Sequence, residues 1–228
     1  MATFYELALL SQAVYAEDPT PTGWVRLDRA APGSYGFQAA AYRSGGETVL
    51  AFRGTTASAG DLAADLKLGV GMNTSHFGQA GDFIQDYLTA GDLTLCGHSL
   101  GGAIAQTVGN RAKVKFATFN APGVGVLNSR EIITANPGMT AIRLAGAVAG
   151  TIFHPVQTAQ DIASTFYAVQ GVNVCLENDL VSQIGLHYGK VVRIPGTGLS
   201  PLSQHSIATV VDVLAASPLR NLRISDYF

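Results

Sequence analysis

The sequence predicts one α/β domain with a mainly parallel central sheet that is flanked by helices. Short apolar runs typical of buried strands alternate along the chain with segments whose apolar residues recur at helical spacing. The chain has 228 residues, of which 47% are hydrophobic and 13% are charged, so it can bury one large core. We find neither an internal repeat nor a low-complexity segment that would divide it. We therefore expect residues 1–228 to form a single domain.

The expected helices and strands follow this alternation along the whole chain. The turn-rich stretch at 19–33, with three prolines, should be a surface connection. Gly45 and Gly46 separate two strand-like runs, which predicts a β-hairpin. The expected strands cover residues 36–42, 47–52, 93–96, 114–119, 172–176 and 190–194. The expected helices cover residues 2–16 and 76–90. A third helix should begin near Leu100, and the last should begin at His205, after a loop at 196–204.

One short motif carries a reactive group. Gly97-His98-Ser99-Leu100-Gly101 follows a strand-like run and precedes an alanine-rich helical run, the setting typical of a nucleophile elbow. Glycines are needed on both sides of the serine because side chains there would collide across the sharp turn. A helix that begins near Leu100 directs N–H groups and its dipole towards negative charge. We therefore predict Ser99 as a nucleophile and the Leu100 N–H as one oxyanion donor.

A serine nucleophile needs a histidine base, and the base needs an acid, in the chain order serine, acid, histidine that α/β-hydrolases share. Asp179 is the expected acid because it follows the strand at 172–176, and Glu177 is the alternative acid. A second alternative is that Asn178 and Asp179 only form a turn. His205 is the expected base because it follows the last strand, with His187 as the alternative. The histidines set aside on chain order or position are His76, His98 and His154.

Two further parts of the site are expected outside the triad. A second oxyanion donor should follow an earlier strand, and Thr55, after the strand at 47–52, is the candidate. The long apolar excursion at 124–171 should form a helical cap or lid over Ser99 and supply the acyl-chain pocket. The alternative is that its helices pack permanently on the sheet. The expected pocket residues are Ile152, Phe153, Ile162 and Phe166.

Several motifs between residues 47 and 205 together resemble the class 3 lipases. They are Phe52-Arg53-Gly54-Thr55, the segment 61–66, Gly97 to Gly102, Thr118 to Gly123 and Asn178-Asp179-Leu180-Val181, and they occur in the family's order. The resemblance implies the α/β-hydrolase fold, with Thr55, Ser99, Asp179 and His205 in the family's oxyanion, nucleophile, acid and base positions. This chain departs from the family in having Asn120-Ala121-Pro122 where Gly-Gln-Pro or Gly-Ser-Pro is usual. Its apolar excursion also comes later than the family's lid.

The sequence thus predicts a serine carboxylic ester hydrolase that acts through an acyl-Ser99 intermediate, and the resemblance implies that it is a lipase or lipolytic esterase. Phospholipase A1 and acyltransferase activities stay open because they use the same triad. The non-enzymatic alternative is a catalytically silent binding module.

Composition and charge argue against other classes. The net charge is −2 and the basic residues are scattered, so no nucleic-acid surface is expected. The longest uncharged stretch, 144–160, contains two glycines and a proline, and we predict no transmembrane segment. We expect neither a metal nor a cofactor, and we expect an ester or lipid substrate with at most transient contact with a lipid–water interface. No signal peptide is visible, and the sequence leaves localisation open.

Overall fold

The protein is built on a mainly parallel sheet, described here by a computed structural model for residues 1–16, 20–30, 37–54, 74–124, 170–185, 187–198 and 200–228. Within these residues the strands are β1 Val25–Arg29, β2 Ala39–Ser44, β3 Glu47–Phe52, β4 Asp92–His98, β5 Lys115–Phe119, β6 Gly171–Leu176 and β7 Lys190–Ile194. They lie side by side in this order. The β1–β2 and β2–β3 pairs are antiparallel, and all pairs from β3 to β7 are parallel. The carboxyl ends of β3 to β7 therefore meet at one edge.

Helices cover both faces of this sheet. In the described ranges they are α1 Phe4–Ala13, α2 Thr74–Gln85, α3 Leu100–Ala112, α4 Pro201–His205 and α5 Ile207–Ala216, with single turns of 3-10 helix at Val181–Gln183, Pro218–Asn221 and Ile224–Tyr227. The first helix begins at a capping box, in which the Thr3 hydroxyl accepts from the Glu6 N–H and the Glu6 carboxylate accepts from the Thr3 N–H. These two bonds satisfy main-chain donors that the helix itself leaves free.

Two apolar cores lie on opposite faces of the sheet. The first packs α1 and α5 against strand residues such as Cys96 and Phe119. The second packs α2 and α3 against strand residues such as Leu95 and Phe116. Since successive strand side chains point to opposite faces, neighbours in sequence belong to different cores. The side chain of His98 lies on the same face of the sheet as that of Cys96 and therefore points towards α1.

The structure confirms the predicted fold class, including the hairpin and the later parallel strands, and it corrects two expectations. The stretch 19–33, expected as a surface connection, contains the edge strand β1, which pairs with β2 from Val25 opposite Arg43. Its residues are largely exposed, so it lacks the buried alternation that marks a strand in sequence. The second correction is that His205 ends α4 instead of opening the last helix. Ser200 caps α4 and Pro201 suits its first position, so part of the expected loop at 196–204 is helical.

Three expectations lie wholly or largely outside the described residues. They are the cap at 124–171, which is described only at its two ends, the segment 61–66, and the residue Thr55. A single domain over the whole chain also stays a prediction. Among the described helices, none has the length and apolar character that crossing a bilayer requires.

Candidate active site

Ser99 lies at the sharp turn between β4 and α3, with φ 58° and ψ −130°. A non-glycine residue in this backbone region costs on the order of 1 to 3 kcal/mol, so the surrounding structure must hold it there. A Cβ on Gly97 would lie 2.4 Å from the Gly101 carbonyl carbon, and a Cβ on Gly101 would lie 2.0 Å from the Phe52 carbonyl oxygen. The turn is therefore packed main chain against main chain, which requires glycine at both positions, as the motif predicts.

Three residues from distant parts of the chain meet beside this turn. His205 Nε2 lies 2.9 Å from Ser99 Oγ, and His205 Nδ1 lies 2.9 Å from Asp179 Oδ1. Because a carboxylate only accepts, we assign the ring proton to Nδ1, and Nε2 of the neutral ring accepts from the serine hydroxyl. Asp179 is fully buried, and Ser99 and His205 are 2% and 7% exposed. The structure thus brings the three predicted triad residues together in the order that activates a serine.

Asp179 is fixed from its other side by main-chain donors. Its Oδ2 accepts from the Ser182 N–H at 2.8 Å and its Oδ1 accepts a longer bond from the Val181 N–H at 3.4 Å. These donors belong to the 3-10 turn that follows, so the carboxylate keeps one oxygen directed at His205. Glu177, the alternative acid, is exposed to solvent.

His187, the alternative base, serves a different part of the structure. It is fully buried, and its Nε2–H donates to the Ala121 carbonyl at 2.8 Å. Burial lowers the pKa of His187 to about 4, and the nearby Arg193 charge lowers it further against the opposing effect of the Ala121 hydrogen bond. The side chain that contacts Ser99 is that of His205.

Of the two predicted oxyanion donors, Leu100 directly follows Ser99 at the start of α3. The first hydrogen bonds inside α3 run from the Gly102 and Ala103 N–H groups to the Ser99 carbonyl, so the Leu100 N–H precedes the bonded part of the helix. Thr55 is outside the described residues, but Gly54 is beside the serine. A Cβ on Gly54 would lie 3.2 Å from the Ser99 Cβ.

Two residues that hold the base were missed by sequence reasoning. The carbonyls of Gln204 and His205 end α4, where a helix provides no partners. His98 Nε2–H donates to the His205 carbonyl at 2.6 Å, and Asn120 Nδ2 donates to the Gln204 carbonyl at 2.7 Å. Strand alternation could have placed His98 on the α1 face, but nothing local points to a carbonyl 107 residues away.

The predicted pocket residues all lie outside the described part of the chain; they are Ile152, Phe153, Ile162 and Phe166. Within the described part, His, Cys, Asp and Glu side chains form no cluster of three or more that could hold a metal ion.

A serine on a nucleophile elbow, hydrogen-bonded to a histidine–aspartate pair at the carboxyl edge of a mainly parallel sheet, defines a serine hydrolase of the α/β-hydrolase fold. The particular family follows from comparison with known proteins. The sequence model of the Tle-like phospholipase domain matches residues 6–198, and the chain belongs to this family. Membership confirms the lipase-like class that the motifs predict.

Individual relatives give narrower likenesses. The chain is 34% identical over 135 residues to an extracellular phospholipase A1 of Serratia liquefaciens, a match that covers 53% of this chain and 42% of that enzyme. The matched region is thus less than half of that relative's length. Among solved structures, lipase II of Rhizopus niveus is 15% identical with a TM-score of 0.47, covering 78% of this chain and 72% of that one. A Rhizomucor miehei lipase–propeptide complex is 12% identical with a TM-score of 0.49, covering 84% and 65%.

Proposed function

We propose that this chain hydrolyses the carboxylic esters of lipids, with Ser99 as nucleophile, His205 as base and then acid, and Asp179 as the group that orients the base. The observation that carries the proposal is the unbroken hydrogen-bonded array from Ser99 Oγ through both ring nitrogens of His205 to Asp179 Oδ1. A serine hydroxyl attacks an ester well only when a base removes its proton, and this array provides that base.

The array has a defined proton path. As Ser99 Oγ attacks the ester carbonyl, its proton passes to His205 Nε2, and the Asp179 carboxylate stabilises the imidazolium. The same proton then passes to the leaving alkoxide, which departs as an alcohol and leaves an acyl-serine. Water reverses the sequence: His205 removes a proton from it, the acid is released, and Ser99 regains its hydroxyl.

The negative charge on the tetrahedral intermediate needs donors of its own, and we assign them to Leu100 and Thr55. Support for Leu100 comes from its place at the first turn of α3, where N–H groups are unused by the helix and the helix dipole favours an anion. Support for Thr55 is indirect: it follows by one peptide bond from Gly54, whose backbone lies against Ser99.

A lipid ester is the substrate class that the family supports, and phospholipid is the second candidate. The matching family is described as a phospholipase domain, and the Serratia relative is named as a phospholipase A1. We assign the acyl-chain pocket to Ile152, Phe153, Ile162 and Phe166 in the cap at 124–171, as the apolar excursion predicts.

Transient contact with a lipid–water interface is part of the same proposal. Leu180 and Leu202 are 49% and 55% exposed, and they lie on the segments that carry Asp179 and His205. Large apolar side chains next to a reactive centre are suited to contact with lipid rather than water.

Nucleophile removal tests the mechanism. Ser99→Ala should lower the hydrolysis of p-nitrophenyl butyrate by about 10⁴-fold or more and abolish labelling by a fluorophosphonate, with the urea midpoint unchanged. His205→Ala should cost as much, because the triad acts as a unit, whereas His187→Ala, the matched control, should keep most of its kcat. Undiminished labelling of Ser99→Ala would refute the serine mechanism, and a greater loss in His187→Ala would transfer the role of base to His187.

The substrate class is tested on the wild-type protein with triglyceride emulsions and phosphatidylcholine vesicles. Contact with the interface is tested with one short-chain phospholipid at concentrations below and above the threshold at which it forms micelles. We expect fatty-acid release that rises sharply at that threshold. Faster turnover of phospholipid than of triglyceride would favour the phospholipase candidate. A rate that rises smoothly through the threshold would remove the interface from the proposal.

A further inference from the structure

A line of hydrogen bonds joins the main chain at Gly54 to the main chain of His205. The Gly54 N–H donates to the Tyr15 hydroxyl at 3.0 Å, and that hydroxyl lies 3.1 Å from His98 Nδ1. On the other side of the ring, His98 Nε2 lies 2.6 Å from the His205 carbonyl. Tyr15 comes just after α1, and His98 is the last residue of β4, directly before Ser99. The line therefore joins four regions of the chain: those of Gly54, Tyr15, His98 and the base.

The direction of every bond in this line follows from the chemistry of its ends. The His205 carbonyl can only accept, so His98 Nε2 carries a proton. Burial, followed by electrostatic repulsion from the nearby His205 ring, lowers the pKa of His98 to about 3, so the His98 ring is neutral and its Nδ1 is an acceptor. Burial raises the pKa of Tyr15 to about 12, so the Tyr15 hydroxyl keeps its proton and donates it to Nδ1. Each donor in this line therefore has one acceptor.

We propose that Tyr15 and His98 are positioning residues that hold the main chain of His205 in fixed relation to the main chain at Gly54, next to the proposed oxyanion residue Thr55. The line thus links the part of the site that moves the proton to the part that receives the negative charge. It rests on the proposed ester hydrolysis, since neither residue touches the reacting atoms. Misplacement of a reacting group by about 1 Å can cost about 100-fold in rate, so such a link matters for turnover.

The packing around the line supports a positioning role. The rings of His98 and His205 lie 4.9 Å apart, and the Arg53 guanidinium lies 5.5 Å from the Tyr15 ring centre. A Cβ on Gly54 would lie 2.6 Å from the Tyr15 hydroxyl, so glycine is what lets the hydroxyl reach this N–H. A neutral His98 also places no like charge beside His205 when that ring becomes an imidazolium.

Four variants test the proposal through kcat and KM for p-nitrophenyl butyrate and through the rate of fluorophosphonate labelling. His98→Phe keeps a ring but loses both bonds, and we expect kcat to fall about 10- to 100-fold with KM within about twofold. Tyr15→Phe should lower kcat by about 10-fold, and the double variant should be no slower than His98→Phe because both changes break one line. His98→Gln, whose amide can replace the donor to the His205 carbonyl, should regain most of the wild-type kcat.

The matched control is His187→Phe, because His187 is likewise fully buried and donates from Nε2 to a main-chain carbonyl away from the triad. It should keep the wild-type kcat even if its stability falls. The proposal would be overturned if His98→Phe and His187→Phe had equal kcat. It would also be overturned if the loss of kcat in the double variant equalled the product of the losses in Tyr15→Phe and His98→Phe. If His98→Phe does not fold, a wild-type kcat in Tyr15→Phe overturns it instead. Failure of the underlying function looks different: the wild-type chain would neither hydrolyse the ester nor be labelled.

Discussion

The nucleophile and the base reach the same point of the molecule by different means. Ser99 is held by close main-chain packing, in which Gly101 lies directly against the last strand residue of β3. His205 is held by side chains: Asn120 and His98 donate to the two carbonyls that end its short helix. The first arrangement requires glycines, which have no side chain, and the second requires side chains that donate particular hydrogen bonds.

This difference predicts two kinds of failure. Main-chain packing cannot yield to an added methyl group, so damage on the nucleophile side should appear as lost stability and lost activity together. A side-chain hydrogen bond contributes only about 1 kcal/mol net, so damage on the base side should leave a folded protein that turns over slowly.

The largest effect is expected on the nucleophile side, from Gly101→Ala. The new Cβ would lie 2.0 Å from the Phe52 carbonyl oxygen and 2.7 Å from its carbon, so the elbow or β3 must move. Overpacking of this kind costs about 3 kcal/mol or more when main chain is displaced, and the Leu100 N–H would move with it. The free energy of unfolding, measured with urea, and the kcat should therefore both fall. The control is Gly81→Ala in α2, where a Cβ meets nothing within 4 Å and stability should hold or rise. A Gly101→Ala protein with wild-type stability would break the comparison.

Sequence reasoning worked well on the nucleophile side because its determinants are local. The strand, the serine and both glycines of the elbow fall within a few residues, and the short, mainly apolar runs of β3 to β6 are plain in the chain. The acid and the base could be ranked from chain order alone. The edge strand β1 was missed because exposed residues carry no burial pattern.

The supports of the base could not be predicted in the same way. Asn120 was noted only as a departure from the usual glycine of class 3 lipases, and its φ of 45° explains why glycine suits that position and why asparagine can replace it. That its amide would reach Gln204, 84 residues later, depends on how β5 and α4 pack, which no local pattern encodes. The same holds for His98 and Tyr15. Local motifs predict which groups react, while long-range contacts decide how firmly they are held.

A smaller effect is expected on the base side, from Asn120→Asp. The change removes the donor to the Gln204 carbonyl and keeps an acceptor for the Leu176 N–H. We expect kcat to fall about 10- to 100-fold as α4 shifts, with a loss of about 1 to 3 kcal/mol in stability.

Asn173→Asp is the matched control for this change. Asn173 is equally buried, and its amide donates to the Tyr188 carbonyl, away from the triad. It should lose similar stability while keeping the wild-type kcat. If both variants lost kcat to the same extent, the effect would be general destabilisation and the base would not depend on Asn120.

The most graded effect is expected from acid. His98 and His187 both donate to main-chain carbonyls near the carboxyl edge, and burial lowers their pKa values from 6.5 to about 3 and about 4. As pH falls below 6.5 the unfolded chain takes up protons at these histidines while the folded chain does not, so the free energy of unfolding decreases with falling pH, until about pH 4 for His187 and about pH 3 for His98. Each histidine should contribute up to about 1.4 kcal/mol per pH unit in this window. The free energy of unfolding, measured with urea between pH 7 and pH 5, should therefore decrease less steeply in His187→Phe than in the wild type. The difference in slope should correspond to the uptake of about one proton. The elbow glycines do not titrate, so this loss should come from the buried histidines and not from the nucleophile side. Equal dependence of the free energy of unfolding on pH in the two proteins would show that His187 is not held neutral by the fold.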